Sequence, residues 1–214
     1  MSLCLILLAA GDSKRLKSNL PKPFILVNNK TIIEHSLRIL KLNKKIRKII
    51  LVFNKKHKKK IDQIKNNDLI KISGGKTRKG STLKGLLVAK KLKFSKVLIH
   101  DAARANLSDR LLRNIINKIS SNKAVVPYIK VKDTIKYKKN TVQNKKRENY
   151  MLTQTPQGFN YDLILKEHIK YKNFEFNDDA GLLQKSKVKI NFIKGEKNNI
   201  KITYPEDIKL FKLF

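Results

Sequence analysis

Short, nearly unbroken apolar runs recur along this chain, and they constrain its fold more than any other feature. Leu3-Cys4-Leu5-Ile6-Leu7-Leu8, Ile49-Ile50-Leu51-Val52-Phe53, Leu69-Ile70-Lys71-Ile72, Val97-Leu98-Ile99-His100 and Ala124-Val125-Val126-Pro127 read as buried strands. Segments of helical spacing separate them. Ile32, Ile33, Leu37 and Leu40 recur behind Thr31, a candidate N-cap with Glu34 at the capping-box position. Leu83, Leu86, Leu87 and Lys90 suggest a second helix, residues 108–119 a third, and the very basic stretch 55–66 a helix or loop. Strands that are apolar on both faces, alternating with amphipathic helices, imply a mostly parallel sheet flanked by helices, an α/β fold. In such sheets the ligand crevice lies beyond the carboxyl ends of the strands. The loops at Gly11, Gly74 and Asp101 follow strand ends, so they are expected to converge on one site.

Composition sets the limits. The 214 residues fit one domain, and 41% hydrophobic content argues against wholesale disorder despite 31% charged residues. A lone cysteine, Cys4, forms no internal disulfide and reads as packing in a reducing compartment. The run 3–8 lacks a basic residue before it and leads into a glycine turn, so it reads as a first strand rather than a signal peptide. No stretch approaches the roughly 20 apolar residues of a membrane span. The net charge of +34 invites a nucleic-acid role. The basic residues are nevertheless dispersed, mostly lysine, and accompanied by abundant Asn and Ile, whose codons are rich in adenine and thymine. Genome composition acting on solvated positions accounts for them, and no recognition motif or aromatic platform accompanies the charge. Such a surface still attracts small anions.

Several short motifs carry chemistry. Ala9-Ala10-Gly11 at a strand end lets backbone approach a ligand closely, and Arg15 and Lys22 add cations beside it. Neither the P-loop nor the dinucleotide glycine pattern is completed there. Gly74-Gly75-Lys76-Thr77-Arg78-Lys79-Gly80-Ser81 is a glycine turn entering a helix, where Ser81 either caps the helix or, with Arg78, holds ribose or phosphate. His100-Asp101-Ala102-Ala103-Arg104 ends a strand with a carboxylate suited to a magnesium ion carried by nucleotide phosphates, or to capping a turn. His100 reads as a packed strand residue rather than a base. Residues 132–152 alternate around a polar turn at Lys139-Asn140, which fits either a projecting hairpin or a surface loop.

Taken in order, these residues resemble the 2-C-methyl-D-erythritol 4-phosphate cytidylyltransferase family. The resemblance runs through Ala9-Ala10-Gly11 with Arg15, Pro21-Lys22, Gly74-Gly75 with Arg78 and Ser81, and His100-Asp101-Ala102-Ala103-Arg104. It continues through Asp133-Thr134 and Lys136, Arg147, Gln154-Thr155-Pro156-Gln157, Asp178-Asp179-Ala180, and Asn199-Ile200-Lys201-Ile202-Thr203. It implies a single Rossmann-like nucleotidyltransferase domain over 1–214, with 132–152 as a protruding β-hairpin arm that clasps a second subunit. It implies transfer of a cytidylyl group from CTP to 2-C-methyl-D-erythritol 4-phosphate, releasing pyrophosphate, within non-mevalonate isoprenoid biosynthesis.

By that resemblance Arg15 and Lys22 stabilise the transition state, and Arg147 and Lys201 position the acceptor, making these four the catalytic set. Ala9, Ala10, Gly11, Gly75, Ser81 and Asp101 line the nucleotide site, and Asp101 holds Mg2+. Thr134, Arg104 and Asp178 bind the acceptor, with Thr134 and Arg147 serving the partner's site in a homodimer. A cytoplasmic location, with neither membrane nor nucleic acid as partner, completes the expectation. The chain departs from the family pattern at Ser13, Ala105, Asn177 and Asn198. Asn177 falls in the expected acceptor pocket, which keeps a pentitol phosphate such as ribitol 5-phosphate as the alternative acceptor. A basic nucleic-acid-binding protein on a degenerate transferase fold is the remote alternative.

Overall fold

A computed structural model of the chain describes residues 2–12, 14–16, 18, 20–39, 43–119, 124–139 and 141–214. The amino-terminal apolar run forms β1 (Leu3–Ala9). A small pair, β2 (Leu26–Val27) and β3 (Lys30–Thr31), leads into α1 (Ile32–Leu37), which carries the expected capping box between Thr31 and Glu34. Leu40, expected at the end of that helix, lies outside the described residues, as do Ser13 and Asn140. Then follow β4 (Ile46–Phe53), α2 (Lys58–Asp62), β5 (Leu69–Ser73), α3 (Arg78–Lys91), β6 (Lys96–Asp101), α4 (Asp109–Lys118) and β7 (Ala124–Lys130). The basic stretch after β4 is thus a short 3-10 turn at Lys55–His57 running into α2.

Beyond β7 the chain departs from the simple alternation. Among the described residues a hairpin of β8 (Ile135–Lys138) and β9 (Val142–Lys145) pairs only with itself, Ile135 opposite Lys145 and Lys138 opposite Val142. The hairpin is narrower than the expected 132–152, because Met151 and Leu152 already belong to β10 (Met151–Thr153) of the main sheet. The remaining elements are β11 (Gln157–Asn160), α5 (Tyr161–Lys170), α6 (Ala180–Lys185), β12 (Ile190–Lys194) and α7 (Pro205–Phe211).

The main sheet runs β10-β7-β11-β6-β1-β4-β5, with β12 along the opposite edge of β7. The pairs β6–β1, β1–β4, β4–β5 and β12–β7 are parallel, while β11 lies antiparallel between β6 and β7. Side chains alternate across β1 as the period of a strand requires. Leu3, Leu5 and Leu7 pack with Leu111, Leu112 and Ile115 of α4 on one face. Cys4 and Ile6 pack with Leu86 and Ala89 of α3 and Ile164 of α5 on the other. Both faces are covered, and this is why the strand sequences lack a polar side.

Close packing at β11 has a single-residue test. A Cβ on Gly158 would stand 2.6 Å from Ile119 Cδ1 and 2.9 Å from Ile115 Cγ2, where α4 lies on the sheet. Gly158→Ala should therefore destabilise the fold by about 1–3 kcal/mol. Urea unfolding measures it; an unchanged midpoint would show that this contact is slack.

Candidate functional site

Four neighbouring parallel strands release their chains into one cavity of about 680 Å³. From β1 come Ala9, Ala10, Gly11 and Asp12, from β4 Asn54 and Lys55, from β5 Gly74 and Gly75, and from β6 Asp101. Arg15, Lys22, Lys76, Arg78 and Lys201 complete the polar wall. Six cationic and two acidic side chains line the cavity among the described residues, so it favours anions.

The glycine turn is built by close approach. A Cβ on Gly75 would fall 2.8 Å from the carbonyl carbon of Gly80, so the turn closes onto the first turn of α3 only because the side chain is absent. Thr77 caps that helix, its Oγ1 accepting from Gly80 N at 3.0 Å. Ser81 is therefore not the cap: its Oγ accepts from Gly75 N at 3.0 Å and ties the turn shut.

Asp101 sits at the centre. Arg78 Nε donates to its Oδ1 at 3.2 Å, and Lys201 Nζ lies 2.7 Å from its Oδ2. Burial would raise the carboxyl's pKa, but the Arg78 and Lys201 charges outweigh it and hold the group well below the usual carboxylate range. Lys22 donates to the Ile202 carbonyl at 2.7 Å, joining the amino-terminal loop to the segment that carries Lys201. Burial, with the nearby charges of Lys201 and Arg15, pushes the Lys22 ammonium below its ordinary pKa. The smaller part of that depression, the repulsion from Lys201 and Arg15, is what a polyanion entering the cavity would relieve.

A second cavity of about 290 Å³ shares Arg78, Asp101 and Lys201 with the first. Arg104, Thr153, Asn177 and Asp178 line its far side. Arg104 NH1 donates to the Asn199 carbonyl at 2.7 Å, and Gln154 Nε2 donates to the Glu196 carbonyl at 2.7 Å. Asn199 Nδ2 in turn reaches the Thr155 carbonyl at 2.9 Å. This lattice clamps the 195–201 segment and aims Lys201 at the shared wall. Asp178 lines the cavity, but its Oδ2 accepts from Thr153 and Gln157 and its Oδ1 from Gly181 N, so its oxygens already hold the start of α6.

The residues picked out in the sequence thus separate into three groups. Ala9, Ala10, Gly11, Arg15, Lys22, Gly75, Ser81, Asp101 and Lys201 line the larger cavity. Arg104 and Asp178 line the smaller one. Thr134 and Arg147 are exposed on or beside the hairpin and line neither cavity of their own chain. Arg147 donates instead to the Lys132 carbonyl at 2.7 Å. Arg78 proves more central than its place in the glycine motif suggests, since it borders both cavities. Asp179, its second carboxylate partner, carries no sequence signal that separates it from Asp178.

Comparison with known proteins gives this arrangement a family. A model described as IspD: 2-C-methyl-D-erythritol 4-phosphate cytidylyltransferase matches residues 3–214. The chain belongs to that family. It is 44% identical over 214 residues to the bifunctional enzyme IspD/IspF of Pelagibacter ubique, covering 100% of this chain and 57% of that protein. It is 35% identical over 224 residues to the 2-C-methyl-D-erythritol 4-phosphate cytidylyltransferase of Clostridium novyi, covering 97% of this chain and 94% of that one. The crystal structure of 4-diphosphocytidyl-2C-methyl-D-erythritol synthase from Anaerococcus prevotii has a TM-score of 0.85 at 32% identity, covering 99% of this chain and 95% of that one. The chain spans a little over half the length of the bifunctional relatives it matches.

His100, next to Asp101, is fully buried and serves the frame. Its Nε2 faces the Arg104 carbonyl at 3.1 Å, which only accepts, so Nε2 carries the proton. Its Nδ1 then accepts from Thr155 Oγ1 at 3.0 Å, while that oxygen accepts from Asp101 N. The neutral imidazole is fully satisfied. Burial pushes its pKa down to about 4 despite the neighbouring Asp101 charge. Between that value and about 6.5 the unfolded chain binds the extra proton, so stability from this group falls as pH drops through the window. NMR titration of the His100 ring should give a midpoint near 4; a midpoint at the ordinary histidine value would contradict the assignment.

Proposed function

We propose that this chain is a cytidylyltransferase that joins CTP to 2-C-methyl-D-erythritol 4-phosphate and releases pyrophosphate, a step of non-mevalonate isoprenoid biosynthesis in the cytoplasm. One observation carries the reading: a large and a small cavity share a wall of Arg78, Asp101 and Lys201, and Arg15 and Lys22 face the larger one. Two anionic reactants have to meet across such a wall. The family membership supports CTP and methylerythritol phosphate as these reactants.

The residue types suit that reaction. The acceptor's phosphate is already anionic at neutral pH, so attack on the α-phosphate of CTP needs no general base. The difficulty is charge, both in bringing two anions together and in stabilising the extra charge during in-line displacement. Arg15 and Lys22 are assigned to the α-phosphate, and Lys201 to the acceptor phosphate. Ala9, Ala10, Gly11, Gly75 and Ser81 bracket the nucleotide with backbone and small side chains, a packing that excludes water without adding bulk. Arg104 and Asp178 shape the acceptor side.

The reaction is assigned a divalent cation, magnesium. Among the described residues no group of three or more His, Cys, Asp or Glu could hold a metal. Only Asp12 and Asp101 among them bring carboxylates to the larger cavity. The residues therefore suit an ion that arrives on nucleotide phosphates and keeps water ligands rather than one caged by the protein, and Asp101 would hold it by giving up its contact with Lys201. When bound, magnesium neutralises phosphate charge. Thr134 and Arg147 are assigned to the site of a second subunit. Their exposure on the hairpin, away from their own chain's cavities, supports this division.

Three experiments test the reading. Pyrophosphate release with CTP should require methylerythritol phosphate; preference for ribitol 5-phosphate, an acceptor that Asn177 in the small cavity keeps open, would replace the assigned substrate. Arg15→Ala and Lys22→Ala should each lower turnover by about 10²-fold or more with the fold intact. Wild-type rates in both would remove them from the chemistry. Mixing an Arg15→Ala parent with an Arg147→Ala parent should restore activity, since one site in the hybrid dimer is then complete; no recovery would count against shared sites.

A further inference from the structure

Asp179 and His168 border neither cavity, yet the wall between the cavities is tied to them. Arg78, whose Nε meets Asp101, turns its NH1 to Asp179 Oδ2 at 2.8 Å. The other oxygen of Asp179 meets His168 Nε2 at 3.0 Å. Both residues are buried, His168 completely. A chain of contacts therefore runs His168–Asp179–Arg78–Asp101–Lys201, from the core to the shared wall.

Helix capping does not explain Asp179. It stands at the N-cap of α6 but makes no side-chain cap bond, and Asp178 takes that part through Gly181 N. Its two oxygens are committed to Arg78 and His168. A guanidinium is a rigid planar fork, so fixing NH1 also fixes where Nε points. The next residue adds an independent anchor. Lys79, 8% exposed, donates Nζ to the carbonyls of Tyr171, Lys172 and Phe174. The segment 171–179 is thereby pinned to two successive residues in the first turn of α3.

We infer that Asp179, oriented by His168, is a positioning residue that fixes Arg78 against Asp101 and so sets the partition between the nucleotide and acceptor cavities. This rests on the proposed reaction for its catalytic meaning, and on geometry alone for its structural meaning. Asp179→Ala would remove both acceptor oxygens and leave the buried guanidinium with no acceptor at that place, whereas an asparagine would still have one oxygen to offer it.

The test separates the two meanings. In full-length protein labelled with [15N]arginine, the Arg78 Nε–H resonance, assigned by its loss in Arg78→Lys, should be protected from solvent exchange. Asp179→Ala should remove that protection, and retained protection overturns the inference whether or not turnover is found. A wild-type protein in which Arg78 Nε–H is protected but which makes no pyrophosphate would sink the proposed reaction and leave the positioning intact. In active enzyme, Asp179→Ala should lower kcat at least about tenfold, as a displaced catalytic wall would. On an Arg78→Lys background it should cost almost nothing more; full additivity overturns the inference. His168→Gln, which keeps a donor for Asp179, should restore most of the kcat lost in His168→Leu. Equal loss in both removes His168 from the device.

Discussion

One carboxylate at the end of β6 is what the cations of the site are arranged around. Asp101 engages Arg78 with one oxygen and Lys201 with the other, and so draws together side chains from α3 and from the segment after β12. Arg15 and Lys22, from the loop after β1, complete a wall that still carries more positive than negative charge. The arrangement holds because the carboxylate is buried, where its attraction is screened less than at a surface. Its own position is fixed by backbone: Asp101 N donates to Thr155 Oγ1, which is in turn held by a neutral His100. The electrostatics of the cavity rest on an uncharged histidine.

The central sheet was legible in the sequence because its strands are buried on both faces. β1, β4 and β6 have no polar side to confuse with a helix face, and the loops after them were expected to meet. β10 and β11 were not legible as strands. They hold or flank Thr153, Gln154, Thr155 and Gln157, polar residues that are inward and hydrogen-bonded to the loops around the site. Polar side chains in a buried strand read as a loop or a motif until their partners are known. The same reason hides the network behind Arg78. Lys79, His168 and Asp179 are an ordinary lysine, histidine and aspartate in the linear chain. Their meaning lies in carbonyls and carboxylates brought from elsewhere by the fold.

The net charge of +34 has a narrower bearing than its size suggests. Most of it is exposed lysine spread over the helices and loops. Asp101 and Asp179, two of the sixteen acidic residues, are buried and each faces Arg78. The other fourteen acidic residues are scattered through the chain and are too few to offset its fifty lysines and arginines. Such a surface draws small anions toward the molecule from all sides, while the direction of final binding is set locally by the cavity walls.

The hairpin of β8 and β9 has no third strand among the described residues. Two strands alone gain too little from pairing to hold a fixed shape in water, and Tyr137 and Val142 stand exposed on this one. Its curvature and reach must then be borrowed from whatever surface it rests upon. In the proposed dimer, dilution would loosen this limb well before it disturbed the sheet, making the sharpness of anything the limb carries a property of assembly rather than of sequence.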